Sequence, residues 1–207
     1  MADQYKPLRD LIAKYESRGD YNIVYGGIPK HLRPAKLTSM TVDQVIAWQR
    51  QVVNAGAKSS AAGRYQIIRK TLEGLNFPGA AKFNEYTQDA MADALLDRRG
   101  FNHFLAGRMT IEQMAIALSK EWASFPVPKD MQGASKWLKA GQSYYAGDGM
   151  NSAHASVKEV TDALRAALMA DDKPVAKPVP AEPTTPATKP FAAFLAFLAR
   201  IFGGAPK

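Results

Sequence analysis

Leu8, Leu11, Ile12 and Tyr15 recur at helical spacing, with Pro7 suited to a first turn, so the polar and apolar positions predict a helix ending at Glu16. Gly19 interrupts the pattern. Tyr21 to Tyr25 is then β-prone, and Gly26-Gly27 supplies a turn. A second helix is expected from Thr41, where Thr-Val-Asp-Gln makes a capping box, with Val42, Val45, Ile46, Gln49 and Val53 on its inner face. Residues 55–63 are small and loop-like. Ile67, Ile68, Thr71, Leu72 and Leu75 follow as a further buried helical stripe.

The same reasoning predicts a helix from Thr87 to Arg99, closed by Gly100. Capping boxes at Thr110–Gln113 and Ser156–Glu159 open two more, the first carrying Met114, Ala117, Leu118 and Trp122 and the second running to about Ala170. Ala134 to Tyr145 reads as another helix, with Trp137, Leu138 and Tyr144 available to the core. The pattern changes abruptly after residue 172. Residues 173–190 hold six of the thirteen prolines, an extended linker without a core of its own. Residues 191–207 follow as a short apolar segment. Three parts are therefore expected: a domain over 1–172, a linker over 173–190 and a C-terminal segment over 191–207.

Apolar residues make up 46% of the 207, enough for a packed core. Cysteine is absent, which excludes disulfides and thiolate metal sites. The three histidines, His31, His103 and His154, are widely spaced and form no H-E-x-x-H pattern, which argues against a zinc hydrolase. No metal or other cofactor is expected, and neither a P-loop nor a Rossmann-type glycine loop is present. The net charge of +8 suits any polyanion without choosing among them. No dense Lys/Arg arm is present, so a nucleic-acid partner is not expected. The first residues lack an apolar h-region, so no cleavable secretory signal is expected.

The candidate chemistry centres on Glu16, an acid placed where a helix meets a turn and next to Tyr15. Glycosidic cleavage needs a proton for the leaving oxygen, and a partly desolvated carboxyl can supply one near neutral pH. Asp20 lies four residues on and has two readings: a second carboxylate, or a cap for the turn after Gly19. Gly63-Arg64-Tyr65-Gln66 would form the opposite lip of a cleft. There Gln66 offers donor and acceptor to sugar hydroxyls, Tyr65 a ring face, and Gly63 close backbone approach. Arg64 is equally a surface charge and Tyr65 equally a core residue. Trp48, Trp122 and Trp137 fall on helix faces; Trp122 is the best sugar platform among them, because Ser124-Phe125-Pro126 breaks the helix just after it.

Glu16 near a helix end, Tyr21-Asn-Ile-Val-Tyr-Gly-Gly27, Ala62-Gly63-Arg64-Tyr65-Gln66, Gln88-Asp89-Ala90 and Trp122-Ala-Ser-Phe-Pro126 occur in one order over roughly residues 5–145. In these motifs the chain resembles the phage lambda endolysin type, glycoside hydrolase family 104 of the lysozyme-like superfamily. The resemblance implies an α+β lysozyme-like fold, mostly helical with a small β-hairpin region beside the active-site cleft. It also implies cleavage of the MurNAc–GlcNAc β-1,4 bond in peptidoglycan, with Glu16 as general acid/base. In that family the muramoyl C6 hydroxyl attacks in place of water, so lytic transglycosylation is favoured over lysozyme-type hydrolysis. The segment from Leu37 and its helix look longer than in the lambda pattern, an insertion near the cleft. A monomer acting on glycan strands is expected. It would be made in the host cytoplasm and reach the wall as an endolysin or as a virion-borne muramidase. The rival readings are a non-catalytic wall-binding or virion structural protein, and a membrane-active lytic protein that works through its tail.

Wound as a helix, Phe191, Phe194, Leu195, Leu198, Ile201 and Phe202 share one face. Such a helix spans about 18 Å, short of a hydrocarbon core of roughly 30 Å, so contact with a membrane surface is expected rather than a crossing. Deleting residues 173–207 is therefore expected to leave cleavage of purified peptidoglycan intact and to weaken binding to anionic liposomes in a sedimentation assay. Unchanged liposome binding would refute the membrane role.

Overall fold

The computed structural model describes residues 3–147 and 152–170, so the linker and the apolar segment at 191–207 lie outside the described residues. The described chain is mostly helical, with one small antiparallel sheet: α1 (Lys6–Glu16), α2 (Val42–Asn54), α3 (Arg69–Gly74), α4 (Glu85–Arg98), α5 (Phe101–Leu105), α6 (Ile111–Ser119), β1 (Met131–Gln132), β2 (Trp137–Leu138) and α7 (Val157–Met169). One continuous core runs through all seven helices, from Leu8 and Ile12 of α1 to Val160 and Leu164 of α7. Among the described residues no helix is long and apolar enough to cross a membrane.

The ends of the helices follow from local chemistry. Thr41, Thr110 and Ser156 each cap a helix by accepting, through the hydroxyl, from the amide three residues on, and each donates its own amide to that residue's glutamine or glutamate side chain. Asn84 caps α4, two residues ahead of the start expected at Thr87. In α1 the amides of Ser17 and Gly19 both donate to the Ala13 carbonyl at 3.1 Å. Gly19 then takes φ +88, which ends the helix and leaves Glu16 in its last turn. α1 packs most extensively on α7, and also on α4.

Four expectations need correction. Residues 134–145 are not helical. Met131 pairs with Leu138 and Gln132 with Trp137 in a hairpin, closed by the Gly133 amide bonding the Lys136 carbonyl. Leu138 is buried while Trp137 is 62% exposed, the alternation of a strand. The amides of Val127 and Ala134 bond distant carbonyls at Gln142 and Tyr144, and these long-range bonds override a helix-compatible composition. Residues 21–25 do not form a hairpin strand; the β character beside the cleft reduces to single bridges, Val24 to Ala62 and Ala62 to Ile67. The inner face of α2 carries Trp48 and Val52, one turn apart, with Val53 exposed. α3 begins only at Arg69, so Ile67 is buried but Ile68 stands exposed.

The seam between α1 and α4 holds an unusual charge cluster. Arg9 lies 3.6 Å from Asp89 and 3.4 Å from Asp93, and it also pairs with Asp3. Tyr5 donates to Asp97 at 2.8 Å. One Asp93 oxygen is buried without a hydrogen-bond partner. Burial, together with Asp3, Asp89 and Asp97, outweighs the attraction of Arg9 and pushes the Asp93 carboxyl up to about 7. A carboxyl raised on folding stabilises the fold below its unfolded-state value, and that contribution is lost as pH climbs through the raised one. The advantage of Asp93→Asn over wild type should therefore widen between pH 5.5 and pH 8.5 by about 2 kcal/mol, roughly 4–8 °C in Tm. Thermal melts across this range test it; parallel falls in the two proteins would refute it.

Candidate active site

A cleft of about 420 Å³ opens where α1 ends. Four stretches of chain supply most of its lining, with Tyr25 and Leu95 beside them. Tyr15 and Glu16 come from α1, Ser59 to Thr71 form one wall, Glu121 to Ser124 follow α6, and Ser152 and His154 precede α7.

Glu16 is partly buried, and the Ser124 hydroxyl donates to its Oε1 at 2.5 Å. Burial pushes its carboxyl above the ordinary glutamate value, while the Ser124 hydroxyl and the positive charge of His154 pull the other way and only moderate the rise. Ser124 is itself a junction. Its carbonyl accepts from the amides of His154 at 2.8 Å and Ala155 at 3.0 Å, tying the strand of chain before α7 to the helix end that carries Glu16. Trp122 and Phe125 lie in the same turn, closed by the Phe125 amide on the Trp122 carbonyl, with ring centroids 6.2 Å apart.

Two buried glutamines hold the opposite wall in place. Gln49 of α2 donates through Nε2 to the carbonyls of Ser60 and Ile67, both at 2.8 Å. Gln88 of α4 donates to the carbonyls of Tyr21 and Phe83 and accepts from the Arg64 amide at 2.8 Å. Gly63 sits at φ +76 directly against the Gln88 side chain, where any Cβ would collide. Its close approach thus serves packing. Behind the wall, Tyr65 and Tyr21 both donate to Asp89 Oδ1, at 2.7 and 2.9 Å. Burial and Asp89 together raise the Tyr65 hydroxyl well above the ordinary tyrosine range, so it stays a donor.

Of the residues singled out from sequence, the fold brings Glu16, Gln66 and Trp122 to the cleft, whereas Tyr65 meets it only as a core residue, 2% exposed and offering no ring face. Gln66 has φ +48, uncommon for a residue with a side chain, and bonds the Gly63 carbonyl through Nε2 at 3.0 Å. Trp122 is 5% exposed and offers only an edge. Gly63 and Arg64 do not line the cleft. Arg64 pairs with Asp10 at 2.9 Å, lies over the Tyr21 ring and donates to the Tyr21 hydroxyl. Asp20 is exposed, accepts from the Asn22 amide at 2.7 Å in an Asx turn, and is not a cleft residue. Glu121 is the second carboxylate in the lining, but Arg98 and Arg99 engage both its oxygens and its side chain is 7% exposed. Among the described residues no group of three or more His, Asp or Glu side chains is placed to hold a metal ion.

Sequence reasoning did not single out Ser124, His154, Tyr25, Ser59 or Ile68, all of which line the cleft. Ser124 was in view inside the Trp122–Pro126 motif. His154 carried no local signal, since only the fold places it near Glu16.

The cleft thus sets one partly desolvated acid between a polar wall and aromatic side chains. The sequence profile of the Endolysin family matches residues 10–151, and the chain belongs to that family, phage proteins that degrade the peptidoglycan of the bacterial cell wall. No curated protein and no solved structure matches it.

The two contacts on Glu16 give a direct test. A carboxyl-carbon NMR titration should place Glu16 above ordinary glutamate. Ser124→Ala, which removes the hydrogen bond favouring the carboxylate, should raise it further, and so should His154→Gln. A Glu16 that titrates in the ordinary range, or that falls in either variant, would refute this electrostatic account.

Proposed function

We propose that this chain is a lysozyme-like muramidase of the phage lambda endolysin type, cutting the MurNAc–GlcNAc β-1,4 bond by lytic transglycosylation. The observation that carries the reading is that, among the described residues lining the cleft, Glu16 is the one carboxyl that no arginine engages. Protonated Glu16 gives its proton to the glycosidic oxygen as the bond to the anomeric carbon breaks. Positive charge then develops at that carbon. The resulting Glu16 carboxylate takes the proton of the muramoyl C6 hydroxyl as that oxygen attacks, closing a 1,6-anhydro ring and returning Glu16 to its acid form.

Burial of Glu16 serves the first step, because a raised carboxyl keeps a proton nearer neutral pH. The hydrogen bond from Ser124 serves the second by favouring the carboxylate and fixing its orientation. Hydrolysis by inversion or through a covalent intermediate would call on a second carboxylate at a set distance. Asp20, in its exposed Asx turn, and Glu121, between two arginines, are poor candidates for that role. Gln66 and the exposed margin of Trp122 are the proposed glycan contacts, with Ser59 and Thr71 offering hydroxyls beside them. The lambda-type motifs support the subfamily, and residues 1–172 are proposed as the catalytic domain.

Glu16→Gln should lower the rate of peptidoglycan solubilisation by at least about 10²-fold while leaving wall binding in place. Mass spectrometry of the wild-type products should find 1,6-anhydro-muramoyl ends. Reducing ends would replace transglycosylation by hydrolysis, and a fully active Glu16→Gln would end the enzymatic reading of this cleft.

A further inference from the structure

The cleft does not end at Ile68. Ser59 and Ile68, which line it, also line a second groove of about 230 Å³ that continues to Val53, Lys58, Arg69 and Lys70. This extension differs in character from the site around Glu16. Val53 and Ile68 are 42% and 44% exposed, an apolar strip on a surface where burial would be expected from their chemistry. No Asp or Glu lines the groove. Glu73 lies nearby, but it is engaged by Arg69 at 2.9 Å and Arg50 at 3.5 Å. The ammonium groups of Lys58 and Lys70 form no ion pair among the described residues, and both side chains are exposed.

The wall is also polarised. On the far side of Tyr65, a separate hollow is lined by Asp3, Asp10 and Asp89 together with Lys6, Arg9 and Arg64, all of them in ion pairs. Positive charge without a partner is thus concentrated at the Ile68 end of the cleft. A polymer that must present both carboxylates and methyl groups beside the scissile glycan would be held there. Peptidoglycan does so through the short peptide on each muramic acid, which carries both alanine methyl groups and free carboxylates.

We propose that the groove formed by Val53, Lys58, Ile68 and Lys70 is a subsite for the acidic peptide stem, and that it makes the enzyme prefer stem-bearing glycan to bare glycan. This rests on the muramidase reading of the cleft. Ile68 joins the two regions: one face of its side chain belongs to the sugar cleft and its neighbourhood to the stem groove. The two lysines attract stem carboxylates at an exposed surface, where each contact is modest and screened by salt.

The experiment compares two soluble substrates, glycan strands with intact stems and the same strands stripped by an amidase. Stripping leaves one lactyl carboxylate on each muramic acid, so both remain polyanions. KM and kcat are measured for the full chain and for Lys58→Glu/Lys70→Glu. The variant should raise KM on stem-bearing strands about fivefold, with kcat and all values on stripped strands unchanged. Lys58→Arg/Lys70→Arg should restore wild-type KM. For the unmodified chain, KM on stem-bearing strands should climb more steeply with salt than on stripped strands, a readout that needs no variant. Equal losses on both substrates, or no loss on stem-bearing strands, overturn the stem subsite while leaving the muramidase reading untouched. A wild-type chain that cuts neither substrate overturns both.

Discussion

The hydrogen bond from Ser124 to Glu16 joins three parts of the chain that have no sequence proximity. Glu16 ends α1, Ser124 lies in the turn after α6, and the Ser124 carbonyl in turn holds the amides just before α7. Remove this junction and the cleft loses its acid, its Trp122 turn and its His154 side together. The contact also balances two demands on one carboxyl. Burial favours the neutral acid, and the donated hydrogen bond favours the anion, so neither form is strongly penalised. In the proposed reaction Glu16 gives a proton and takes one back within a single turnover, which needs that balance.

The opposite wall is built on another logic. Gln49 and Gln88 are fully buried polar side chains: the Gln49 amide donates to the carbonyls of Ser60 and Ile67, and the Gln88 oxygen accepts from the Arg64 amide, in a stretch with almost no regular structure of its own. Where a sheet would supply a ladder, the segment from 59 to 67 has single bridges and two glutamine clamps. Rigid side-chain brackets suit an irregular wall that holds Gln66 in a fixed position beside the cleft. The left-handed backbone of Gln66 fits this picture, since such a conformation persists only where its surroundings enforce it.

Much of this was legible in the residues. The three capping boxes mark real helix starts at Thr41, Thr110 and Ser156, because a cap is a local bond between residues three apart. Glu16 was legible because a helix end followed by glycine is equally local. The hairpin at 131–138 was not, since its residues tolerate a helix and the bonds that decide against one come from Val127 and Tyr144. Gly63 was read correctly as a site of close approach but assigned the wrong neighbour, a ligand instead of Gln88. Arg64 and Asp20 were chosen for their chemistry, yet an ion pair with Asp10 and an Asx turn account for them. His154 shows the limit most clearly: no spacing rule connects it to position 16, and only packing of α7 on α1 does.

That packing bears on the order of events during synthesis. The helix that carries Glu16 is the first of the described helices to be synthesised, and the helix it rests on is the last of them. Until α7 emerges, Leu8 and Ile12 lack their main apolar partner, and the segment that bonds Ser124 does not yet exist. A nascent chain stalled or truncated before α7 would thus carry the acid without a cleft around it. Contacts between the two extremes of a domain make its assembly all-or-none and late. For a protein that degrades the bacterial cell wall, such a dependence ties the helix bearing Glu16 to completion of the domain.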